Sequence, residues 1–239
     1  MNAARTRIQA IYRKEFREYR RNWSIVSTMA LIPMGIVTFP LILVIALPAS
    51  AAQGIGGDPL VILLGIPAIV PSIMAAYAIV GERVQGTLEP LLSTAISSTE
   101  LVLAKGLAAL VPSLAISYGM YAAFVVVTEI FAQPTVAAAV LLWPYVVAQL
   151  AFTPLLAVLS IWTGFAISAR VSDVRVAQQL SAMSVMPVLL VAYLISFDVI
   201  HMTLTLAIVI AAALLLLDGF GWRLVTAAFN PERLITGKR

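Results

Sequence analysis

The stretch GERVQGTLEPLLSTAISSTELVLAKG, residues Gly81–Gly106, separates two long apolar runs, and this contrast indicates how the chain is organised. It combines charged side chains, a glycine turn and hydroxyl groups, and charged side chains are rare within membrane spans. Each flanking run is long enough to cross a bilayer, which requires about 20 apolar residues. The stretch is therefore a polar connection between two spans, either a plain connector or a contact surface for another molecule.

The composition predicts an all-α integral membrane protein. Of the 239 residues, 62% are hydrophobic and 11% are charged, whereas soluble domains are about 25% charged. The mean hydropathy is +1.01. The sequence has no cysteine, which excludes disulfides and thiolate metal sites. We predict a single transmembrane domain over residues 1–239 and no large soluble domain.

The apolar runs predict six membrane spans. They lie at about residues 24–47, 60–80, 104–128, 136–168, 180–197 and 199–220. The fourth run exceeds the thickness of a bilayer, so it must tilt, kink at Pro144 or Pro154, or protrude. Two polar breaks interrupt the runs, one at residues 81–103, which we name the coupling segment, and one at residues 169–179.

Residues 1–22 predict an amphipathic helix on the cytoplasmic membrane surface. Seven basic residues occur there: Arg5, Arg7, Arg13, Lys14, Arg17, Arg20 and Arg21. Apolar residues recur at spacings of three or four: Ile8, Ile11, Tyr12, Phe16, Tyr19 and Trp23. Such a helix is attracted by anionic lipid. A signal peptide is the alternative, but the apolar run that follows is longer than the 7–15 residues of its hydrophobic region.

The distribution of basic residues predicts the orientation. All 15 Lys and Arg residues occur in the N-terminal helix, at the two polar breaks or in the C-terminal tail. The opposite side carries Asp58, Glu129, Asp198 and His201, without Lys or Arg. The positive-inside rule places both termini and both polar breaks in the cytoplasm. We expect a multi-pass protein of the plasma membrane, in a prokaryote.

The coupling segment contains signals for a turn and a short helix. Gly86 permits a tight turn, and Thr87 can cap a helix that begins at Leu88. Glu89 then lies at the positive end of the helix dipole. Its apolar face would consist of Leu88, Leu91 and Leu92.

A second helix start follows in the same segment. Ser97-x-x-Glu100 has the pattern of a capping box. A helix from about Ser98 to Thr128 would be about 46 Å long, which exceeds the hydrocarbon core. Its first turns would therefore stand in the cytoplasm, with Lys105 near the membrane interface.

These residues resemble the type-2 permease family of ATP-binding-cassette exporters. The resemblance is carried by Glu82-Arg83-x-x-Gly86-Thr87-Leu88-Glu89-x-Leu91-Leu92-x-Thr94-x-Ile96-Ser97-x-x-Glu100, followed by Lys105. The N-terminal surface helix and six spans extend it over essentially the whole chain. Ala95 departs from the pattern, since many relatives have proline there, and this would loosen the turn before Ile96.

The resemblance implies that residues 86–92 are a coupling helix in a cleft of a separate ATP-binding subunit, with residues 169–179 as a second contact. The implied coupling residues are Glu82, Arg83, Gly86, Thr87, Leu88, Glu89, Leu91, Leu92, Glu100, Arg170, Asp173 and Arg175. Two ATP-binding subunits would bind ATP and Mg²⁺, with no cofactor in this chain. A second permease copy, forming a homodimer, and membrane lipid are the other expected partners, and nucleic acid is not.

The resemblance also implies that spans two and five line the translocation path. The candidates are Met74, Tyr77, Met183, Ser184, Met186 and Tyr193. Flexible methionine side chains suit a varied apolar cargo, although methionine is equally common in ordinary packing. The expected function is export of a substrate, lipid-like or drug-like, outward across the membrane.

Two other classes of function remain open from the sequence. The chain contains no G-x-x-x-x-G-K-[ST] phosphate loop, so an ATP-driven function would require the ATP-binding site of a separate subunit. The alternative is an ATP-independent channel or carrier, with the coupling segment as a plain connector. A membrane-embedded enzyme would need converging catalytic groups, and one histidine without cysteine argues against zinc catalysis. We expect the chain itself to be non-catalytic.

Overall fold

The computed structural model describes residues 2–84, 86, 96–196 and 203–228, and within these ranges the chain is helical, without a β-strand. A 3-10 turn, Ala49–Ala51, precedes α3. The α-helices are α1 (Asn2–Arg21), α2 (Trp23–Ala46), α3 (Ala52–Ile55), α4 (Asp58–Leu63), α5 (Gly65–Val84), α6 (Ser98–Phe131), α7 (Pro134–Val140), α8 (Trp143–Ser168), α9 (Val174–Ser184), α10 (Met186–Ser196) and α11 (Leu204–Ala228). The predicted all-α fold is confirmed.

Six helical stretches within the described ranges are long and apolar enough to cross a membrane, as predicted. They are Val26–Ala46, Asp58–Glu82, Ser98–Phe131, Trp143–Ser168, Val174–Ile195 and Leu204–Ala228. Large apolar side chains on α2, α9, α10 and α11 point away from the protein. In a bilayer these faces can meet lipid or another apolar helix without exposing apolar surface to water.

The central helix of the bundle is α5, and small residues allow α8 to cross it closely. A β-carbon added at Gly164 of α8 would lie 2.5 Å from the carbonyl oxygen of Ser72 and 2.9 Å from Cβ of Ala75. Close backbone approach through small residues is a usual way for membrane helices to associate. The α5–α8 contact therefore forms the core around which the other spans pack.

The two ends of the bundle have different partners. At one end, the C-terminal halves of α2 and α6 pack with α3, α4 and α7. At the opposite end, Ile11 of α1 packs on Leu101 and Ala104 of α6, and Ala177 of α9 packs on Val80 of α5. The N-terminal helix and both polar breaks thus share one end of the bundle.

The fourth span is shorter than the predicted residues 136–168. The chain forms the separate helix α7, turns at Leu141 and Leu142, and only then begins α8 at Trp143. Pro144 occupies the first turn of α8, where its missing N–H is tolerated, and proline disfavours helical backbone in the residue before it. The break therefore falls just before Pro144, one of the two expected kink sites.

The last two spans are displaced from their predicted bounds. The fifth begins at Val174 rather than residue 180, because Asp173 caps α9 and its polar first turns are already helical. The sixth begins at Leu204 rather than residue 199 and continues to Ala228, beyond residue 220. Its extension packs on α8, where Trp222 contacts Trp162 with ring centroids 5.5 Å apart.

The N-terminal helix packs on protein more than the amphipathic pattern predicted. Ile11 and Tyr19, expected on a lipid-facing side, are buried against the rest of the chain. Phe16 and Trp23 are exposed, by 38% and 80%. Part of the apolar stripe of α1 therefore packs on the membrane spans, and the rest faces away from the protein.

Candidate functional site

A buried ammonium group lies where α1, the end of α5 and the start of α6 meet. Nζ of Lys105 is 2.6 Å from Oε1 of Glu15 and 3.0 Å from Oε2 of Glu82. It also donates to the carbonyl oxygen of Ala78, at 2.8 Å. Of its three donors, two therefore make hydrogen bonds, to Glu15 on α1 and to Ala78 on α5, and the carboxylate of Glu82 lies at ion-pair distance. Lys105 thereby joins three helices through one atom.

Lys14 closes the same network from the surface side. Its Nζ is 2.7 Å from Oε1 of Glu82, 3.2 Å from Glu18 and 3.8 Å from Glu15. We call Lys14, Glu15, Glu18, Glu82 and Lys105 the charge cluster. Both carboxylate oxygens of Glu82 therefore face ammonium groups, one on α1 and one on α6.

The electrostatics of α1 follow from this burial. Burial alone would lower the pKa of Lys14, but the hydrogen bond to Glu82 and the neighbouring carboxylates raise it well above its ordinary value. Burial raises the pKa of Glu15 above its ordinary 4.5, against the opposing effect of the Lys105 ammonium. Lys14 therefore stays charged at neutral pH, and the Lys105 ammonium favours the ionised form of Glu15 against the effect of burial.

A second ionic contact joins α1 to the first turn of α6. Nε of Arg7 donates to Oε2 of Glu100 at 3.0 Å, and Nη2 donates to Oε1 at 2.6 Å. Bidentate pairs of this kind restrict orientation as well as separation. Glu100 also completes the predicted capping box, since Oγ of Ser97 accepts from N of Glu100 at 3.2 Å and Oε2 accepts from N of Ser97 at 3.3 Å. This prediction is confirmed.

The structure describes some of the predicted coupling residues between residues 82 and 100 and leaves others outside the described ranges. Glu82 and Glu100 are in the ionic contacts to α1, and Gly86 adopts a positive φ of 69°, the turn that its sequence predicted. Arg83 lies in the last turn of α5. Outside the described residues are Thr87, Leu88, Glu89, Leu91 and Leu92.

The burial of Glu82 limits what it can do directly. Its side chain is only 4% exposed, and its carboxylate points to Lys14 and Lys105. Contact with a separate subunit through this carboxylate stays a prediction. The observed geometry shows instead that Glu82 attaches the entry of the coupling segment to α1 and α6.

The second polar break forms a capped helix start beside α5. Oδ1 of Asp173 accepts from the backbone N–H groups of Arg175, at 2.7 Å, and Val176, at 3.1 Å. The side chains of Arg170 and Arg175 are exposed. Asp173 thus has a local structural role, and the two arginines remain accessible at the same end of the bundle as the coupling segment.

The candidate path residues divide into two groups. Met74 and Tyr77 line a small crevice between α2, α5 and α9, together with Thr28 and Gln178. Tyr77 also accepts a hydrogen bond from Nδ2 of Asn22 at 2.8 Å.

The remaining path candidates lie on α9 and α10. Met183, Met186 and Tyr193 are exposed on the outside of the chain, by 64%, 55% and 40%. Ser184 donates to the carbonyl oxygen of Ser181. The single chain does not bring all six candidates together.

Sequence reasoning missed Arg7, Lys14 and Glu15 as site residues and expected Lys105 at the membrane interface. One signal was available: Glu15 interrupts the apolar stripe formed by Ile11 and Tyr19. A carboxylate on such a stripe requires a buried partner. The partner could not be identified locally, because Glu15 and Lys105 are 90 residues apart in sequence.

The described residues contain no group of three or more His, Cys, Asp or Glu side chains arranged to hold a metal ion. In a comparison with protein families, the model described as ABC-2 type transporter matches residues 6–209. A comparison with curated proteins gives no match.

Proposed function

The chain belongs to the ABC-2 type transporter family, and from this membership we propose that it is the membrane subunit of an ATP-driven exporter. It is a multi-pass transmembrane transport subunit, and the family implies association with an ABC ATP-binding subunit. In the proposed complex, two permease copies form a homodimer and two ATP-binding subunits bind ATP and Mg²⁺. The proposed cargo is a lipid-like or drug-like molecule, carried outward.

The main support for this proposal is that the coupling segment is attached at both ends to a common base, α1. At its start, Glu82 belongs to the charge cluster. At its end, Glu100 binds Arg7 of α1, and Lys105, two residues beyond the segment, binds Glu15 of α1. A plain connector has no need of such a base, whereas a lever that transmits force must not bend at its attachment. This geometry favours a coupled transporter over an ATP-independent carrier.

The proposed orientation puts this base in the cytoplasm of a prokaryotic cell. α1 and both polar breaks share one end of the bundle, and the basic residues of the chain are concentrated there. The positive-inside rule then places this end, with both termini, on the cytoplasmic side of the plasma membrane. An ATP-binding subunit would have access to the coupling segment and to Arg170 and Arg175.

Force could pass from the coupling segment to the spans by rigid-body motion. Closure of the ATP-binding subunits would displace the coupling segment together with the adjoining ends of α5 and α6. Since α5 packs closely on α8 and also contacts α9, its movement would be transmitted through the bundle. The cargo would pass between the two copies, along the crevice at Met74 and Tyr77 and the exposed face containing Met183 and Met186.

We expect Leu91→Ala, or Glu89→Ala, to uncouple ATP hydrolysis from the permease without preventing membrane insertion. Loss of one apolar anchor from an interface weakens binding by about tenfold, or ~1.4 kcal/mol. The measurements are co-purification of the ATP-binding subunit and the stimulation of its ATPase activity by permease in proteoliposomes. Thr99→Ala is the matched control, because Thr99 is exposed in the same segment but outside the predicted coupling helix at residues 86–92. Unchanged ATPase stimulation in both variants would contradict the assignment of Glu89 and Leu91.

The ATP-independent alternative predicts a different purification result. Native purification from the host membrane should retain an ATP-binding subunit in stoichiometric amount if the chain is the membrane half of an exporter. Its reproducible absence, at concentrations where the permease remains dimeric, would favour a channel or carrier.

The outward face of α1 is proposed to bind anionic lipid. Arg13, Arg17 and Arg20 are exposed on it and border an open cleft with Tyr12 and Phe16. We expect the triple Arg→Gln variant to bind phosphatidylglycerol more weakly, with a loss in binding free energy of about 1 kcal/mol for each arginine. Binding of phosphatidylcholine should be unaffected. Native mass spectrometry of the two lipid adducts measures this, with Arg170→Gln as the control. Equal phosphatidylglycerol binding by the triple variant and the control would refute the assignment.

A further inference from the structure

The two flanks of the coupling segment are tied to the same helix. Glu82, on the entry side, contacts Lys14 of α1. Glu100 and Lys105, on the exit side, contact Arg7 and Glu15 of α1. We propose that α1 is a clamp that makes both flanks move as one unit, with Arg7 and Lys14 as its positioning residues. This inference rests on the proposed function and adds a role for α1 within it.

Apolar packing alone would not determine the register of α1. Its apolar contact with α6, through Ile11, Leu101 and Ala104, consists of non-directional interactions. The bidentate Arg7–Glu100 pair and the two hydrogen bonds of the Lys105 ammonium, to Glu15 and to the carbonyl oxygen of Ala78, require particular positions along and around the helix. The ionic contacts thus define one register.

A buried ion pair is weak evidence for stability, because desolvation offsets much of its attraction. The charge cluster is therefore poorly explained as a simple device for stabilising the fold. Buried ionic groups are better attested as devices that specify one arrangement of the elements they join. A junction that transmits force needs such a single arrangement. The position of the cluster at the entry and exit of the coupling segment agrees with this role.

The clamp also includes a third span. Only Asn22 separates α1 from α2. Its backbone N–H bonds to the carbonyls of Glu18 and Tyr19, and its side chain donates to the hydroxyl of Tyr77 on α5. A displacement of α1 would therefore reach α2 as well as α5 and α6.

The test uses the complete complex with an ATP-binding subunit that binds but does not hydrolyse ATP. Because the chain has no cysteine, spin labels can be attached at introduced cysteines. The pair Arg17→Cys and Thr99→Cys reports the position of α1 relative to α6. In separate samples, the single change Gln133→Cys, at an exposed site at the opposite end of the bundle, reports the separation of the two copies.

The variants are Arg7→Gln and Lys14→Gln, singly and together. Both side chains are about 40% exposed, and Glu82 retains Lys105 when Lys14 is replaced, so the fold should persist. Arg7→Lys is the conservative variant, and Arg5→Gln is the matched control because Arg5 is an exposed arginine on the same helix.

In the unaltered clamp, we expect a narrow distance distribution between residues 17 and 99 that ATP does not change. We also expect ATP to shift the distance between the two labels at residue 133. In the double variant the first distribution should broaden and the ATP-dependent shift should be lost. Arg7→Lys should recover part of the shift, and Arg5→Gln should retain all of it.

The outcomes separate the clamp from the proposed function. If the ATP-binding subunit does not bind the unaltered permease, or the residue 133 labels give no distance between copies, the proposed function fails and the clamp fails with it. If the unaltered complex responds to ATP and the double variant responds equally, the proposed function stands and the clamp is overturned.

Discussion

Gly164→Val is expected to prevent the close packing of α5 and α8 and to remove most folded permease from the membrane. Even the first added carbon would lie 2.5 Å from the backbone oxygen of Ser72 and 2.9 Å from Cβ of Ala75. Neither atom belongs to a flexible side chain that could turn away, so a helix must move. Overpacking of this kind typically destabilises by about 1–3 kcal/mol, and valine adds two methyl groups beyond that first carbon.

The measurement is the fraction of monodisperse protein that survives heating, followed by size-exclusion chromatography. Gly119→Val is the matched control, because Gly119 lies in the spanning helix α6 and has no neighbouring atom within 4 Å of its added β-carbon. Gly164→Ala should lie between the two valine variants. Equal melting of Gly164→Val and Gly119→Val would show that the α5–α8 crossing is not tight.

Lys105→Met is expected to destabilise the protein by about 3–5 kcal/mol, because it removes one partner from a buried ion pair. It leaves the buried carboxylate of Glu15 without the ammonium that lies 2.6 Å away. Glu82 keeps Lys14, at 2.7 Å. The second change Glu15→Gln should therefore restore part of the loss, since a neutral amide is less costly to bury than an unpaired carboxylate.

A double-mutant cycle with Lys105→Met and Glu15→Gln measures this coupling through thermal unfolding. Additive destabilisation by the two changes would contradict a coupling between Lys105 and Glu15.

The stability of the Lys105→Met variant should depend on pH with a definite sign. Burial raises the pKa of Glu15 in the folded protein above 4.5, and loss of Lys105 should raise it further. The Lys105→Met variant should therefore regain stability as the pH falls from 7 toward 4.5, and lose it as the pH rises through the folded pKa.

The features that were predictable depend on neighbouring residues or on composition. The capping box of Ser97 and Glu100 is a pattern within one helical turn, and the turn at Gly86 depends on a backbone conformation that glycine favours. The number of spans follows from the length of apolar runs. The exact ends of the fifth and sixth spans could not be predicted from the apolar runs. The cap at Asp173 and the packing of Trp222 on Trp162 extend these two helices beyond the runs.

The six spans of this helical permease, and the polar segment between the second and third of them, could be predicted from the sequence, because hydropathy, charge distribution and motif are properties of consecutive residues. The burial of Lys105 between Glu15 and Glu82, and the contacts of α1 with both ends of the coupling segment, are visible only in the folded chain. Those contacts unite residues far apart in the chain, and no local pattern specifies the partner of a buried charge. The segment that interrupts the apolar runs is thus attached at both ends to the helix that begins the chain.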